Sequence, residues 1–279
     1  MKIKLIPILC LALFAAVSCK SEFEKIRSGG DAAKMLEAAD KYYEEEEWQK
    51  AQTLYELIVG SYRGKKEAED IYFNYAYTYY YLGRYLLSSY YFKNFSTTFG
   101  GSTKKEEADY MIAYSFYQLS PTYRLDQTNT EKAIESFQNF VNTYTQSPRV
   151  EQCNRLIDEM RLKLEKKAFE GGKLYFDLRQ YQSATQTFEN LLKDFPETPN
   201  AVEVRYMVVR AAYLLAENSF VERQQERYQD AEEKAEEFVA RYDQGKFLKE
   251  VENMLAATKK KLKQLEDVRY QNSSARSRS

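Results

Sequence analysis

Five stretches of this chain carry apolar or small residues at offsets 0, 3, 7, 10 and 14, and that spacing decides most of what it can fold into. They are WQKAQTLYELI, YLLSSYYFKNF, TEKAIESFQNF, YQSATQTFENL and YQDAEEKAEEF, beginning at Trp48, Tyr85, Thr130, Tyr181 and Tyr228. Three positions on, each has a small residue: Ala51, Ser88, Ala133, Ala184 and Ala231. Seven on come Tyr55, Phe92, Phe137, Phe188 and Ala235; fourteen on come Tyr62, Phe99, Tyr144, Phe195 and Tyr242. A stripe with that period runs along one side of an α-helix, and five copies make it a repeat.

A second stripe precedes each copy. Ala39, Ala76 and Ala113 are each followed three residues later by Tyr42, Tyr79 or Phe116; Gly172 with Tyr175 continues the pattern, and Ala212 with Leu215 does so loosely. The unit is helix A, short turn, helix B. Its small residues let paired helices approach, and aromatics fill the groove between them. This pattern resembles the tetratricopeptide repeat. The resemblance implies an all-α fold: a right-handed superhelical solenoid of five tetratricopeptide-like helix pairs plus a C-terminal capping helix. The register breaks near 149–164, which is itself helical and reads as a long helix running into the fourth repeat. Two A-to-B turns are stretched, SPTYRLDQTNT and AENSFVERQQERY. In the last helix, Phe247, Leu248, Val251, Leu255, Leu262 and Leu265 are placed to cap the final repeat.

The 279 residues contain no histidine, which removes His-based triads, general bases and metal ligands. No Gly-rich phosphate loop or nucleophile elbow is present, and Glu44 to Glu47 form a solvated acidic run. The expectation is a non-enzyme with no cofactor and no metal. The formal net charge of -1 gives no field for nucleic acid.

The chain opens MKIKLIPILCLALFAAVSC: two lysines, an apolar run too short to span a bilayer, then small residues before Cys19. That ending resembles a bacterial lipobox, which implies cleavage before Cys19 and its acylation; an ordinary signal peptide cut elsewhere is the alternative. Cys10 would leave with the signal, and Cys153 reads as a buried small apolar residue. The expected organisation is a signal peptide over 1–18, a lipidated tether over 19–30, and repeats 1–3 with a substrate groove over 31–145. The long helix, repeats 4–5 and C-terminal helix follow over 146–265 as a partner-docking region, then a disordered tail over 266–279.

IYFNYAYTYYYLGRYLLSSYYF, residues 71–92, holds nine tyrosines. The repeat register sends Tyr72, Tyr75 and Tyr79 to the core, along with Tyr85 and Phe92 from helix B. Phe73, Tyr77, Tyr80 and Tyr81 then fall on the other side of helix A, joined by Leu36, Asp40 and Tyr43 from the first repeat and Tyr110, Tyr114 and Tyr117 from the third. These ten residues are the candidate peptide-binding groove, because tyrosine offers wide contact at small entropic cost and a hydroxyl that tolerates water. The competing expectation is that neighbouring helices bury most of the rings.

A lipobox followed by five degenerate repeats resembles the BamD family of outer-membrane lipoproteins, in a Bacteroidetes-like version. The stretches carrying it are YYEEEEWQKAQTLYELI, YYYLGRYLLSSYYFKNF and SPTYRLDQTNTEKAIESFQNFV. The resemblance implies a lipid-anchored component of the β-barrel assembly machinery at the periplasmic face of the cell outer membrane. It implies two partners: the C-terminal strands of unfolded outer membrane proteins at the amino-terminal repeats, and the periplasmic domains of a BamA-like central barrel subunit at the later ones. Another periplasmic or surface tetratricopeptide-repeat lipoprotein, serving cell division, peptidoglycan or glycan binding, is the alternative.

Overall fold

A computed structural model describes the backbone of residues 21–276 and side chains to 268; over that span it has twelve α-helices and no strand. The signal segment and Cys19 lie outside the described residues. The helices are α1 Glu22–Ser28, α2 Ala32–Glu44, α3 Trp48–Ile58, α4 Ala68–Tyr81, α5 Tyr85–Thr98 and α6 Lys105–Leu119. Then follow α7 Thr128–Thr143, α8 Val150–Asp177, α9 Tyr181–Asp194, α10 Ala201–Glu217, α11 Val221–Arg241 and α12 Leu248–Arg276. The architecture is all-α and tetratricopeptide-like, with helix pairs α2/α3, α4/α5, α6/α7, the end of α8 with α9, and α10/α11.

Three of the five A-to-B turns share one backbone solution. Glu46, Gly83 and Arg179 take left-handed φ values of 58°, 70° and 59°, each two residues before a B helix. The next amide in each turn donates back to a helix A carbonyl: Glu47 to Tyr42 at 2.8 Å, Arg84 to Tyr79 at 2.9 Å, and Gln180 to Tyr175 at 2.9 Å. This closure satisfies carbonyls that a helix end otherwise leaves open. Of the two turns expected to be stretched, only that of the third repeat is, over 120–127; the fifth turn spans just 218–220, as short as the others, because the VERQQER segment expected in it joins helix α11.

The described chain forms two units, and α8 contributes to both: its residues to Met160 belong to the first, and those from Arg161 to the second. In the first unit, Ala39, Ala76 and Ala113 on the A helices and Ala51, Ser88 and Ala133 on the B helices have no exposed surface. The approach of α5 and α6 is close enough for the Ser115 hydroxyl to donate to Ser88 at 3.2 Å. Tyr55, Phe92 and Phe137 are likewise fully buried beside them. Each such side chain contributes about 1.5–3 kcal/mol by leaving water. Cys153, Ile157 and Met160 of α8 close this core.

The second unit repeats the scheme. Phe169 and Phe176 of α8 pack with Phe188 and Leu191 of α9 and with Val204, Val208 and Ala211 of α10. Gly172 is the small residue here, because the Phe188 ring lies where its Cβ would be, with ring carbons 2.6–2.9 Å away. Phe247, Val251 and Leu255 join Tyr206 and Phe238, with Tyr206 stacked on Phe247 at 4.3 Å, so the last helix caps the final pair as its stripe indicates. Lys259 of α12 pairs with Glu236 of α11 at 2.6 Å.

Both ends of the described span are more helical than the sequence suggests. Residues 22–28 of the tether are a helix whose Phe23 packs edge-on against Tyr42 at 5.8 Å; the Ser21 hydroxyl caps it by accepting from the Glu24 amide. The last helix continues to Arg276, through most of the segment expected as a disordered tail.

Gly172 and its neighbour Gly171 give a paired test, since a Cβ at Gly171 meets open space. Gly172→Ala is expected to lower stability by about 1–2 kcal/mol through overpacking. Gly171→Ala should raise it by up to about 1 kcal/mol through helix propensity. Urea unfolding of the two variants measures both.

Candidate peptide-binding ridge

Helix α4 reads AEDIYFNYAYTYYY, and its faces are set by what its inner side must hold. Ile71, Tyr75, Ala76 and Tyr79 are buried. Tyr75 and Tyr79 share a hydrogen bond of 2.9 Å, which satisfies both phenols away from water. Tyr72 is half-buried, edge-on against Phe99 at 5.6 Å. With the core side committed, Phe73, Tyr77 and Tyr80 are left half-buried and Tyr81 is 47% exposed.

These rings join those of neighbouring helices in one contiguous ridge. Phe73 meets Tyr77 at 5.1 Å, and Tyr77 stacks on Tyr81 at 5.7 Å. Tyr81 touches Tyr80 at 5.7 Å, and Tyr80 reaches Tyr114 of α6 at 6.2 Å. Tyr114 stacks on Tyr117 at 5.7 Å and on Tyr110 at 5.5 Å. On the other side Tyr81 stacks on Trp48 at 4.1 Å, and Trp48 meets Tyr43 of α2 at 5.2 Å. Trp48 is the residue the repeat register did not assign to this surface. It opens a B helix directly after a left-handed turn, and its half-buried indole lies over Tyr81.

Among the ten candidates, seven join this ridge, half-buried or exposed: Tyr43, Phe73, Tyr77, Tyr80, Tyr81, Tyr114 and Tyr117; Leu36 is half-buried and packs against the core of the first helix pairs. Tyr110 departs from the expected exposure. It is 7% exposed, packed against Phe137 and Phe140, with the Arg149 guanidinium 4.3 Å above its ring. Asp40 lies at the edge, where it accepts a 2.6 Å hydrogen bond from the Tyr55 hydroxyl. Asp40 as a residue is exposed, but its carboxyl is partly desolvated. Desolvation there raises its pKa, against the Tyr55 hydrogen bond that lowers it, with the charges of Asp70 and Glu44 raising it further.

The ridge is electrically neutral with polar fittings at its margins. Burial pushes the Tyr80 and Tyr110 phenols up to about 12, and those of Tyr43 and Tyr77 are also raised, chiefly by burial. All four therefore stay protonated donors in neutral solution. Tyr77 donates to Glu107 at 2.6 Å, Glu107 pairs with Arg149, and Tyr117 donates to Glu159 at 3.2 Å. Cys153 beneath is buried, with its thiol pushed up to about 11 by burial, so it is an inert packing group. A surface of this kind offers flat apolar contact with hydroxyls alongside, which suits aromatic and aliphatic side chains of an extended chain.

Comparison with known proteins gives one family. The model of YfiO, an outer membrane lipoprotein family, matches residues 29–203 and, in a second overlapping match, 173–269. No curated protein matches the chain significantly. Among solved structures, the TPR2AB domain of yeast Sti1 in a pHSP90 complex is 15% identical at a TM-score of 0.38, over 83% of this chain and 100% of that one. A Podosopora anserina kinesin light chain with nearly identical TPR-like repeats is 14% identical at a TM-score of 0.31, over 79% of this chain and 96% of that one.

The Asp40–Tyr55 contact has a pH signature. A raised carboxyl pKa means the ionised group weakens the folded state at neutral pH, and that penalty fades as pH falls through the carboxylate range. Asp40→Asn keeps an acceptor for Tyr55 and is expected to match or exceed native stability near pH 7. Its advantage should shrink toward about pH 4 as the native carboxyl protonates. Tyr55→Phe should cost about 1–2 kcal/mol near pH 7, because it removes the hydrogen bond that Asp40 accepts. Urea titrations at the two pH values read both effects.

Proposed function

The chain belongs to the YfiO family of outer membrane lipoproteins, the BamD family its sequence resembles, and from that premise we propose that it is a non-catalytic component of the β-barrel assembly machinery. In this reading it holds the C-terminal strands of unfolded outer membrane proteins and docks on a BamA-like central barrel subunit to aid their folding and insertion. The observation that carries the reading is the continuous aromatic ridge from Tyr43 and Trp48 to Tyr117.

The ridge fits an extended client on physical grounds. Same-face side chains of a strand recur about every 6.6–6.8 Å. Ring centroids from Tyr81 through Tyr80 and Tyr114 to Tyr117 are 5.7–6.2 Å apart. Successive same-face side chains of a client thus fall near successive rings, and a terminal aromatic gains an edge or a face to pack on. Neutral phenols add no charge to be desolvated, which keeps binding permissive across many client sequences. Residues 146–265 would then serve the barrel subunit, and acylated Cys19 would hold the chain to the outer membrane at its periplasmic face. Two or more acyl chains make such an anchor stable.

Trp48 is the single tryptophan of the chain and lies in the ridge, so it reports on the site directly. Titration with synthetic peptides copying the last ten or so residues of outer membrane barrels is expected to change its emission, and removing the terminal aromatic should weaken the response. Replacing Tyr80, Tyr81 and Tyr114 together by Ser should reduce affinity roughly tenfold or more with helical circular dichroism retained. Unchanged affinity in that variant would move the client site elsewhere.

The anchor is tested separately. Cys19→Ala should shift the protein from the membrane fraction to the soluble periplasm. Persistent membrane association would remove the acyl anchor from the proposal.

A further inference from the structure

A second concave surface of the first unit lies away from the tyrosine ridge. It is a groove of about 790 Å³ on the other side of α6, walled by α5 and α7. Small side chains open it: Ser89 and Ser96 on α5 and Ser136 on α7 leave Ile112 and Phe116 of α6 reachable from outside. The α5 wall is apolar and uncovered, with Leu86 60%, Leu87 43% and Tyr90 57% exposed. An apolar patch of that kind on a soluble surface marks a contact site.

The repeat supplies an internal comparison. The second unit has the same inter-helix position between α9 and α11, but the space is only about 360 Å³. Where α5 has Ser96, α9 has Leu192; where α7 has Ser136, α11 has Lys234. The Lys234 ammonium crosses to Glu189 at 3.0 Å and is also held by Asp230. Glu189 stands at the register position that Lys93 occupies in the first unit. The helix-pair geometry therefore does not by itself demand an open groove. The first unit lacks the strap that narrows the groove of the second.

The charge around the open groove selects its occupant. Lys93 stands on the α5 wall and Lys132 on the α7 wall, over the Phe116 ring at 5.7 Å. Neither makes an ion pair among the described residues. Of the two carboxylates in the lining, Asp109 is already engaged by Lys105 and the Tyr144 hydroxyl, which leaves Glu135 against two lysines. From Leu86 to Thr97 the wall is about 16 Å long, three turns of a helix. Two helical walls over an apolar floor accept the side chains of a third helix. We propose that this groove docks an acidic amphipathic helix of a partner protein, its apolar side on Leu87, Tyr90, Ile112 and Phe116 and its carboxylates on Lys93 and Lys132.

The probe is a fluorophore-labelled synthetic helix of about 15 residues, with leucines along one face and glutamates beside them; its companion carries lysine for every glutamate. Anisotropy with the purified full chain is expected to show binding of the acidic helix, with the companion roughly tenfold or more weaker. The double variant Lys93→Glu with Ser136→Lys rebuilds the strap of the second unit. It should lose the acidic helix while keeping the Trp48 response to barrel peptides, so failure here is separable from failure of the ridge. No binding of the acidic helix, equal binding of both probes, or binding untouched by the double variant would overturn the proposal. A dimer in sedimentation that the double variant dissolves would assign the groove to a second copy of the chain and overturn it too.

Discussion

Close approach of paired helices at small residues is the contact on which the rest of the structure depends. Alanine or serine at the crossing lets the backbones come near enough for the Ser115 and Ser88 hydroxyls to meet, and for Phe92 and Phe137 to fill the space beside the crossing completely. Gly172 is the extreme case, where even a methyl group would strike the Phe188 ring. Such packing is dense and shape-specific, and a lost ring at these positions typically costs about 3–5 kcal/mol. It also fixes rotation: once a small residue faces its partner helix, every other side chain of that helix has a determined direction.

That rotation is what produces the aromatic surface. Helix α4 has more rings than its core side can take, so four of them emerge on the far side. Each emerging ring finds another from a neighbouring helix, and Trp48, Tyr80, Tyr81 and Tyr114 become a shared surface although they come from three helices. The buried phenols, by contrast, are satisfied in pairs such as Tyr75 with Tyr79, or by a carboxylate, as Tyr55 is by Asp40. Phenol chemistry thus serves two purposes in one helix, locking the interior and equipping the exterior. The same register also generates the space between α5 and α7, where serine takes the places that the second unit fills with leucine and lysine.

Most of the helix pairs were legible from the residues, because a stripe with offsets of 3 and 7 is a local signal and its small members name the packed side. The long α8 was legible for the same reason. What escaped depended on contacts far apart in sequence. Tyr110 is buried because Arg149, contributed by the start of the α8 segment, covers its ring. Trp48 reaches the ridge through its stack with Tyr81, a residue of the next repeat. Helix α1, with seven residues, is too short to show a period, and only Phe23 against Tyr42 explains its order. The open groove was invisible because serine in a helix signals nothing alone; it becomes a gap only when the neighbouring helix also withholds bulk.

The chain has no histidine, and burial makes the Tyr77 and Tyr80 phenols of the ridge hold their protons well into alkaline solution. The commonest biological trigger for letting go of a bound protein, a shift in acidity across the neutral range, therefore finds no imidazole here to act on. A client lodged on these rings, as proposed, would have to be displaced by a competitor with a better fit, or drawn off by the stronger pull of its own folding. In that reading, turnover would be set by rivalry between partners rather than by the medium.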